Sequence, residues 1–339
     1  MNSKVLFRNT LDIRNAGRPA FIPFVYSLAA KVIQTPLKDA VYDPTSFANS
    51  LETAWKLFNY DGITNVFDST VEAEACGCTL KWGGDYDPPL IIKAPDLNEK
   101  LPEDLSGNER ISVLLEATRR LSISAGKDVA IVGVITGLLS LAENLVEGLE
   151  GRLEKQGQDP KAQEILSLLG NLLTKYIKQL CETRIDAVFV REETTGASFL
   201  KEVKLVKEVY TTIFNIIRYY RSYPVLILSD FDLGDLPDLF DVLRPSGIVL
   251  RGLRFSKDDL NYLKELSNSR GICFGIALPF GEEKSLWEQL DIANDFVCRN
   301  RAPGLFYTSD GEIPYNIPME TIHGLMAKIL NQQNCGGEK

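Results

Sequence analysis

Gly62-Ile63-Thr64-Asn65-Val66-Phe67-Asp68-Ser69-Thr70 decides the reading of this chain, because a short apolar run stops on an acid. In a barrel of parallel strands, a carboxylate at a strand's C-terminal end points into the substrate mouth. Similar β-rich runs recur at 21–26, 62–67, 129–135, 187–190, 225–228, 247–250, 272–277 and 304–307. Segments of helical spacing accompany them at 44–58, 109–125, 138–153, 161–182, 199–221, 235–243, 257–268, 284–295 and 318–332. Period-2 runs alternating with period-3.6 runs indicate parallel strands joined by crossover helices, and eight strands predict a (β/α)8 TIM barrel.

The punctuation between these runs predicts one domain over 1–339, with a core at about 18–331 behind an N-terminal extension. Leu80 to Pro102, with Gly83-Gly84 and Pro88-Pro89, is too long and Pro-rich for a simple connection. It is expected to form a projecting hairpin or loop after the second strand. Gly151 to Pro160 reads as a solvated helix-helix turn, and 332–339 as a frayed tail.

The chain has 339 residues, 45% hydrophobic and 24% charged, which suits an ordinary globular protein with ample core. Its formal net charge of −9 argues against a nucleic-acid or anionic-membrane surface. No signal-like start and no apolar run long enough to span a membrane are evident, so a cytoplasmic location is expected. Cys76, Cys78, Cys181, Cys273, Cys298 and Cys335 are scattered and read as reduced thiols. Cys76-Gly77-Cys78 has no second cysteine pair nearby, and the sole histidine, His323, lies on an amphipathic final helix. Both read as structural.

Several strand ends carry a family's wording. One block runs from Tyr60-Asp61-Gly62-Ile63 through Val66-Phe67-Asp68-Ser69 to Glu72-Ala73-Glu74-Ala75-Cys76-Gly77-Cys78. A second is Val129-Ala130-Ile131-Val132-Gly133-Val134 leading to Leu145-Val146-Glu147-Gly148, and a third is Ile313-Pro314 with Pro318-Met319-Glu320. Across nearly the whole chain this resembles the uroporphyrinogen decarboxylase superfamily, which includes corrinoid-dependent methyltransferases.

The departures from that family's patterns separate its branches. Arg14-Asn15-Ala16-Gly17-Arg18 looks like the decarboxylases' arginine segment but precedes the first strand instead of following it, so both arginines read as surface residues. The tyrosine expected after the third strand falls on Asn144, and the late histidine falls near Asp310. The thiol-methylating branch holds zinc through His-x-Cys and a late cysteine. Here Leu228 and Asp230 stand at the first two positions and Asp310 near the third, so a zinc site of the usual family type is not expected.

The strand ends place Tyr26, Asp68, Glu192, Glu193, Asp230, Arg251, Tyr307 and Asp310 at the expected mouth. Asp68, Asp230, Glu192 and Glu193 are the candidate catalytic residues, and Tyr26, Arg251, Tyr307 and Asp310 the candidate substrate-binding ones. Acids outnumber bases in this set, and a buried carboxyl beside other carboxylates can hold a proton near neutrality for a poor oxygen leaving group. The resemblance then implies methyl transfer from a small methylated substrate, such as a methoxylated aromatic, to a separate corrinoid protein (O-demethylation). The corrinoid would come from that partner, and the resemblance allows a homodimer. Decarboxylation of uroporphyrinogen or a related acid, and non-catalytic ligand binding, stay open as alternatives.

Overall fold

Apolar β-branched runs form the parallel strands, and two of the longest are buried on both faces: every residue of Ala130–Thr136 and of Ala187–Glu192 is out of solvent. The computed structural model describes residues 2–96, 101–146, 160–193, 196–300 and 302–331. Its strands are β1 (Gly62–Thr64), β2 (Thr79–Lys81), β3 (Leu90–Lys93), β4 (Ala130–Thr136), β5 (Ala187–Glu192), β6 (Tyr223–Ser229), β7 (Gly247–Arg251), β8 (Cys273–Leu278) and β9 (Leu305–Ser309). Seven pair in parallel in the order β1-β4-β5-β6-β7-β8-β9, a curled TIM-barrel-like sheet, while β2 and β3 pair antiparallel as a separate hairpin. The register sets Glu192 beside Leu228, Ser229 beside Arg251 and Leu278 beside Ser309, so the strand ends share one rim.

An eighth regular strand over 21–26 was expected from the sequence, and the structure differs. Residues 20–24 form only isolated bridges, from Phe21 to Tyr307 and from Phe24 to Glu312. Pro19 and Pro23 lack the N–H that a ladder needs. The segment still meets both sheet edges: Asp61 N donates to Phe21 O, Ile22 N to Tyr307 O and Tyr307 N to Ala20 O, at 2.9, 2.8 and 2.8 Å.

The helices are α1 (Ser3–Leu11), α2 (Ser27–Val32), α3 (Leu37–Val41), α4 (Pro44–Phe58), α5 (Thr70–Ala75), α6 (Glu109–Ser124), α7 (Leu138–Leu145) and α8 (Pro160–Glu182). They continue with α9 (Gly196–Val203), α10 (Lys207–Tyr219), α11 (Leu236–Val242), α12 (Lys257–Arg270), α13 (Glu283–Asn300) and α14 (Met319–Leu330). The single helix expected over 199–221 is two, separated by a turn in which Val206 N donates to Val203 O and both valines are buried. The second half of the helix expected over 138–153, most of the turn at 151–160 and the tail 332–339 lie outside the described residues. Among those described, no helix is long and apolar enough to cross a membrane.

The N-terminal extension closes the end of the barrel opposite the rim. Lys4 and Arg8 of α1 reach Asp186, just before β5, at 3.1 and 2.9 Å, and Ser3 Oγ donates to Asp61, just before β1. Phe7 enters the interior and meets Phe306 edge-on at 5.5 Å and Phe189 at 6.4 Å. Phe24 touches Phe189 and stacks on Phe67 at 4.2 Å, so an aromatic column runs from the plug toward the rim. Each fully buried side chain of this size stabilises by about 1.5–3 kcal/mol, so the apolar walls and this column, rather than the rim's ion pairs, hold the barrel together.

Arg18 corrects a reading of the sequence. It is 8% exposed and grips Asp61 bidentately at 2.7 and 2.7 Å, whereas Arg14 is a surface residue as expected. Asp61 opens β1 beneath the barrel wall, where its carboxylate would otherwise be buried without a partner.

Candidate active site

Beyond β1 the chain is pinned before it turns. The Asn65 side-chain amide donates to Thr118 Oγ1 and its carbonyl accepts from Val134 N. This delivers Asp68 to the rim, where it accepts from Thr70 N at 2.8 Å, Arg110 Nη2 at 2.6 Å and Tyr26 Oη at 3.3 Å. Arg110 also donates to Thr70 Oγ1 and Glu74, and its guanidinium lies over the Trp82 ring at 5.2 Å. Asp68 and Arg110 side chains are each only 2% exposed. Asp68 is therefore an acceptor within a buried ion pair. That geometry suits holding and orienting better than giving up a proton.

Arg110 was missing from the sequence reading because it opens a helix and not a strand end. A signal was present: Arg110, Leu114, Ala117 and Leu121 fall on one helical stripe, and all four are buried.

The pleat of β5 reverses another expectation. Glu192 is fully buried on the helix side, accepting from Leu139 N, Ser140 N, Ser140 Oγ and Tyr210 Oη. It anchors the first turn of α7 and does not reach the mouth. Arg191, its neighbour, points inward instead, because successive strand residues face opposite sides. Tyr307 is likewise turned outward and donates to Asn294 of α13, while Phe306 takes the interior. Glu192 and Tyr307 thus leave the mouth, and Arg191 enters it.

At the rim the Arg191 and Arg251 guanidinium groups both lie over the Phe67 ring, at 4.4 and 5.3 Å. They share Glu193, which Arg251 Nη1 reaches at 3.0 Å and Arg191 Nε at 3.0 Å. Asp310 accepts from Gly252 N at 3.1 Å and Arg254 Nη1 at 3.3 Å, with Arg251 Nε at 3.7 Å. Asp230 is exposed, in a left-handed conformation (φ 49°), with its side chain against Gly252. The expected excess of acids is therefore balanced by Arg110, Arg191, Arg251 and Arg254.

Gly252 permits this packing. Its φ is +77°, and a Cβ there would overlap Asp230 Oδ1. Gly252→Ala is expected to cost about 1–3 kcal/mol and to displace Asp230; a melting curve matching the parent protein would refute this.

Burial leaves three carboxyls near the sheet end able to hold protons. Glu72, bonded to Thr136, is pushed up to about 6 by desolvation, and Glu192 to about 7. Glu312, which accepts from Ser27 N, is raised to about 7 by burial, with the charge of Asp68 adding to the effect. The strand-end count overlooked Glu312 because it follows β9 by several residues. The Tyr26 phenol is held well above its ordinary value of 10, mainly by burial and then by Asp68.

Of the residues that the sequence reading set at the family's zinc positions, Leu228 is apolar and fully buried, Asp230 is exposed and Asp310 is already engaged with Arg251 and Arg254. No thiolate or imidazole is among them, so this donor set does not fit zinc of the His-x-Cys type. Cys76 and Cys78 are free and buried, with thiols pushed up to about 12 and 11 by burial, which makes them poor nucleophiles. His323 packs against Phe58 on the outer helix layer, 5.4 Å between rings.

Residues 12–227 match the family model described as "Uroporphyrinogen decarboxylase (URO-D)". The chain belongs to the uroporphyrinogen decarboxylase family. Within that family it is similar to the methylcobamide:CoM methyltransferase MtbA of Methanosarcina acetivorans, 33% identical over 111 residues, 32% of this chain and 33% of the relative. The namesake from Methanosarcina mazei is 29% identical over 163 residues, 47% of this chain and 48% of the relative. These matches thus span a third to about half of the curated relatives' length. Among solved structures, a methyltransferase from Methanosarcina mazei superposes with a TM-score of 0.80 at 18% identity, covering 98% of this chain and 99% of that one. That likeness confirms the family's barrel-like fold.

Proposed function

We infer that this protein takes a methyl group from a small methylated substrate and passes it to the cobalt of a separate corrinoid protein. The observation that carries the reading is the similarity to relatives named methylcobamide:CoM methyltransferases. The absence of thiolate and imidazole donors at Leu228, Asp230 and Asp310 turns it away from thiol activation and toward the methyl-donor side. A methoxylated aromatic is the proposed donor, in an O-demethylation. A single-domain, cytoplasmic enzyme, paired as a homodimer, accompanies this reading.

The partner's reduced cobalt supplies the nucleophile and the electron pair of the new bond. This chain's residues then have to bind the ether, orient its methyl group and protonate the departing oxygen as the methyl carbon–oxygen bond breaks. Asp68, held by Arg110 and Tyr26, positions the substrate, and Glu312 is the proposed proton source because burial keeps its proton near neutrality. Glu193, Asp230, Arg251 and Asp310 are proposed to line the substrate's outer side.

The test is incubation with a reduced corrinoid protein and 2-methoxyphenol, following 1,2-dihydroxybenzene by mass spectrometry. Glu312→Gln is expected to slow its formation by roughly 10²–10⁴-fold. No dihydroxybenzene from the parent protein would sink the reading. A second reading, decarboxylation of uroporphyrinogen or a related acid, draws support from the four mouth arginines. Release of carbon dioxide from such an acid, without methyl transfer, would favour it.

A further inference from the structure

Arg191 plays no part in the chemistry above, and its surroundings do not explain its presence. Its side chain is 6% exposed. Its Nε lies 3.0 Å from Glu193 Oε1 but makes no hydrogen bond, and among the described residues neither Nη atom has a partner. A guanidinium whose buried Nε goes without a hydrogen bond is costly, and a methionine would pack against Phe67 without that cost. Beside Arg191, and also over the Phe67 ring, Arg251 uses Nη1 on Glu193, and its Nη2 has no partner among the described residues.

Phe67 holds both groups in place, itself stacked on Phe24 in the barrel's aromatic column. The two forks are thus fixed before any ligand arrives. A planar guanidinium with free Nη donors matches a carboxylate, which accepts two parallel hydrogen bonds from it. Glu193, the counter-charge shared by both arginines, is 42% exposed and free to yield to a better-placed carboxylate.

We propose that Arg191, with Arg251 beside it over the Phe67 ring, is the receptor for a carboxylate on the substrate, so that the methyl donor is an arene acid and not a neutral ether. The identity of the donor as a methyl ether rests on the reading given above; the carboxylate receptor rests on the geometry of Arg191.

The experiment is isothermal titration of the full chain at pH 7.5 with 4-hydroxy-3-methoxybenzoate and with 2-methoxyphenol, which differ by the carboxylate. The acid is expected to bind roughly 10- to 100-fold more tightly. Arg191→Met is expected to collapse that ratio without lowering the melting temperature, a result that a merely structural arginine would not give. Arg191→Lys keeps the charge but loses the fork, and should collapse most of the ratio too; it also serves should the methionine variant fail to fold. Inorganic sulfate at equal concentration should compete weakly if the fork geometry matters. Equal affinity for the two probes, no binding of the acid, or an undiminished ratio in both variants would each overturn the proposal. Methyl transfer from 2-methoxyphenol with no preference for the acid would refute the receptor and leave the reaction standing. Arg191-dependent binding of the acid without methyl transfer would do the reverse.

Discussion

Arg110→Met is expected to lower the unfolding free energy by about 3–5 kcal/mol, read from urea denaturation followed by circular dichroism. The cost arises because Asp68 and Glu74 lose the cation that faces them, and Asp68 is almost wholly buried. Asp68→Asn is expected to destabilise in the same manner, since Arg110 would keep only Glu74 and the neutral partners Thr70 and Tyr26. The double variant should regain much of the loss, because removing both members leaves no uncompensated charge. A cycle in which the two losses simply add would show that the pair is not coupled. It also separates structure from activity: a folded double variant that no longer binds substrate would assign Asp68 to the site itself.

Stability is expected to decline as pH rises from about 4.5 to about 7. Glu192 sets most of this window, since burial raises its carboxyl from 4.5 to about 7, and Glu312 and Glu72 act in the same direction, to about 7 and about 6. Between those limits the folded protein holds protons that the unfolded chain has released, so raising the pH favours unfolding. For Glu192 alone the full change is on the order of 3 kcal/mol. Carboxylates lowered by surface ion pairs, such as Glu116 and Asp295, act oppositely, but below pH 4.5 and on exposed groups. Glu192→Gln keeps acceptors for Leu139 N and Ser140 N and should flatten much of the slope above pH 5. An unchanged slope in that variant would place the proton uptake elsewhere.

The eight β-rich runs were legible because a strand shows its period over a few residues, and seven became paired strands. The first run, read as a strand, forms only isolated bridges, because Pro19 and Pro23 cannot donate to a ladder. Asp68 was also legible, as an acid at a strand end. Its partner was not: Arg110 lies 42 residues away on a helix and not at a strand end. The plug formed by α1 was read only as an extension, because nothing local to Phe7 announces that it enters the barrel interior.

By itself, then, the sequence determined a barrel-like array of alternating strands and helices, its family, and an acid, Asp68, at the end of a strand. Those features are local, carried by periodicity and by residue identity at strand ends. Only the tertiary structure decided which strand-end groups face the mouth. Adjacent residues of a strand point to opposite sides, so a phase of one residue sends Arg191 inward and Glu192 outward. That same phase turned an expected cluster of acids into a balanced set of arginines and carboxylates around Phe67.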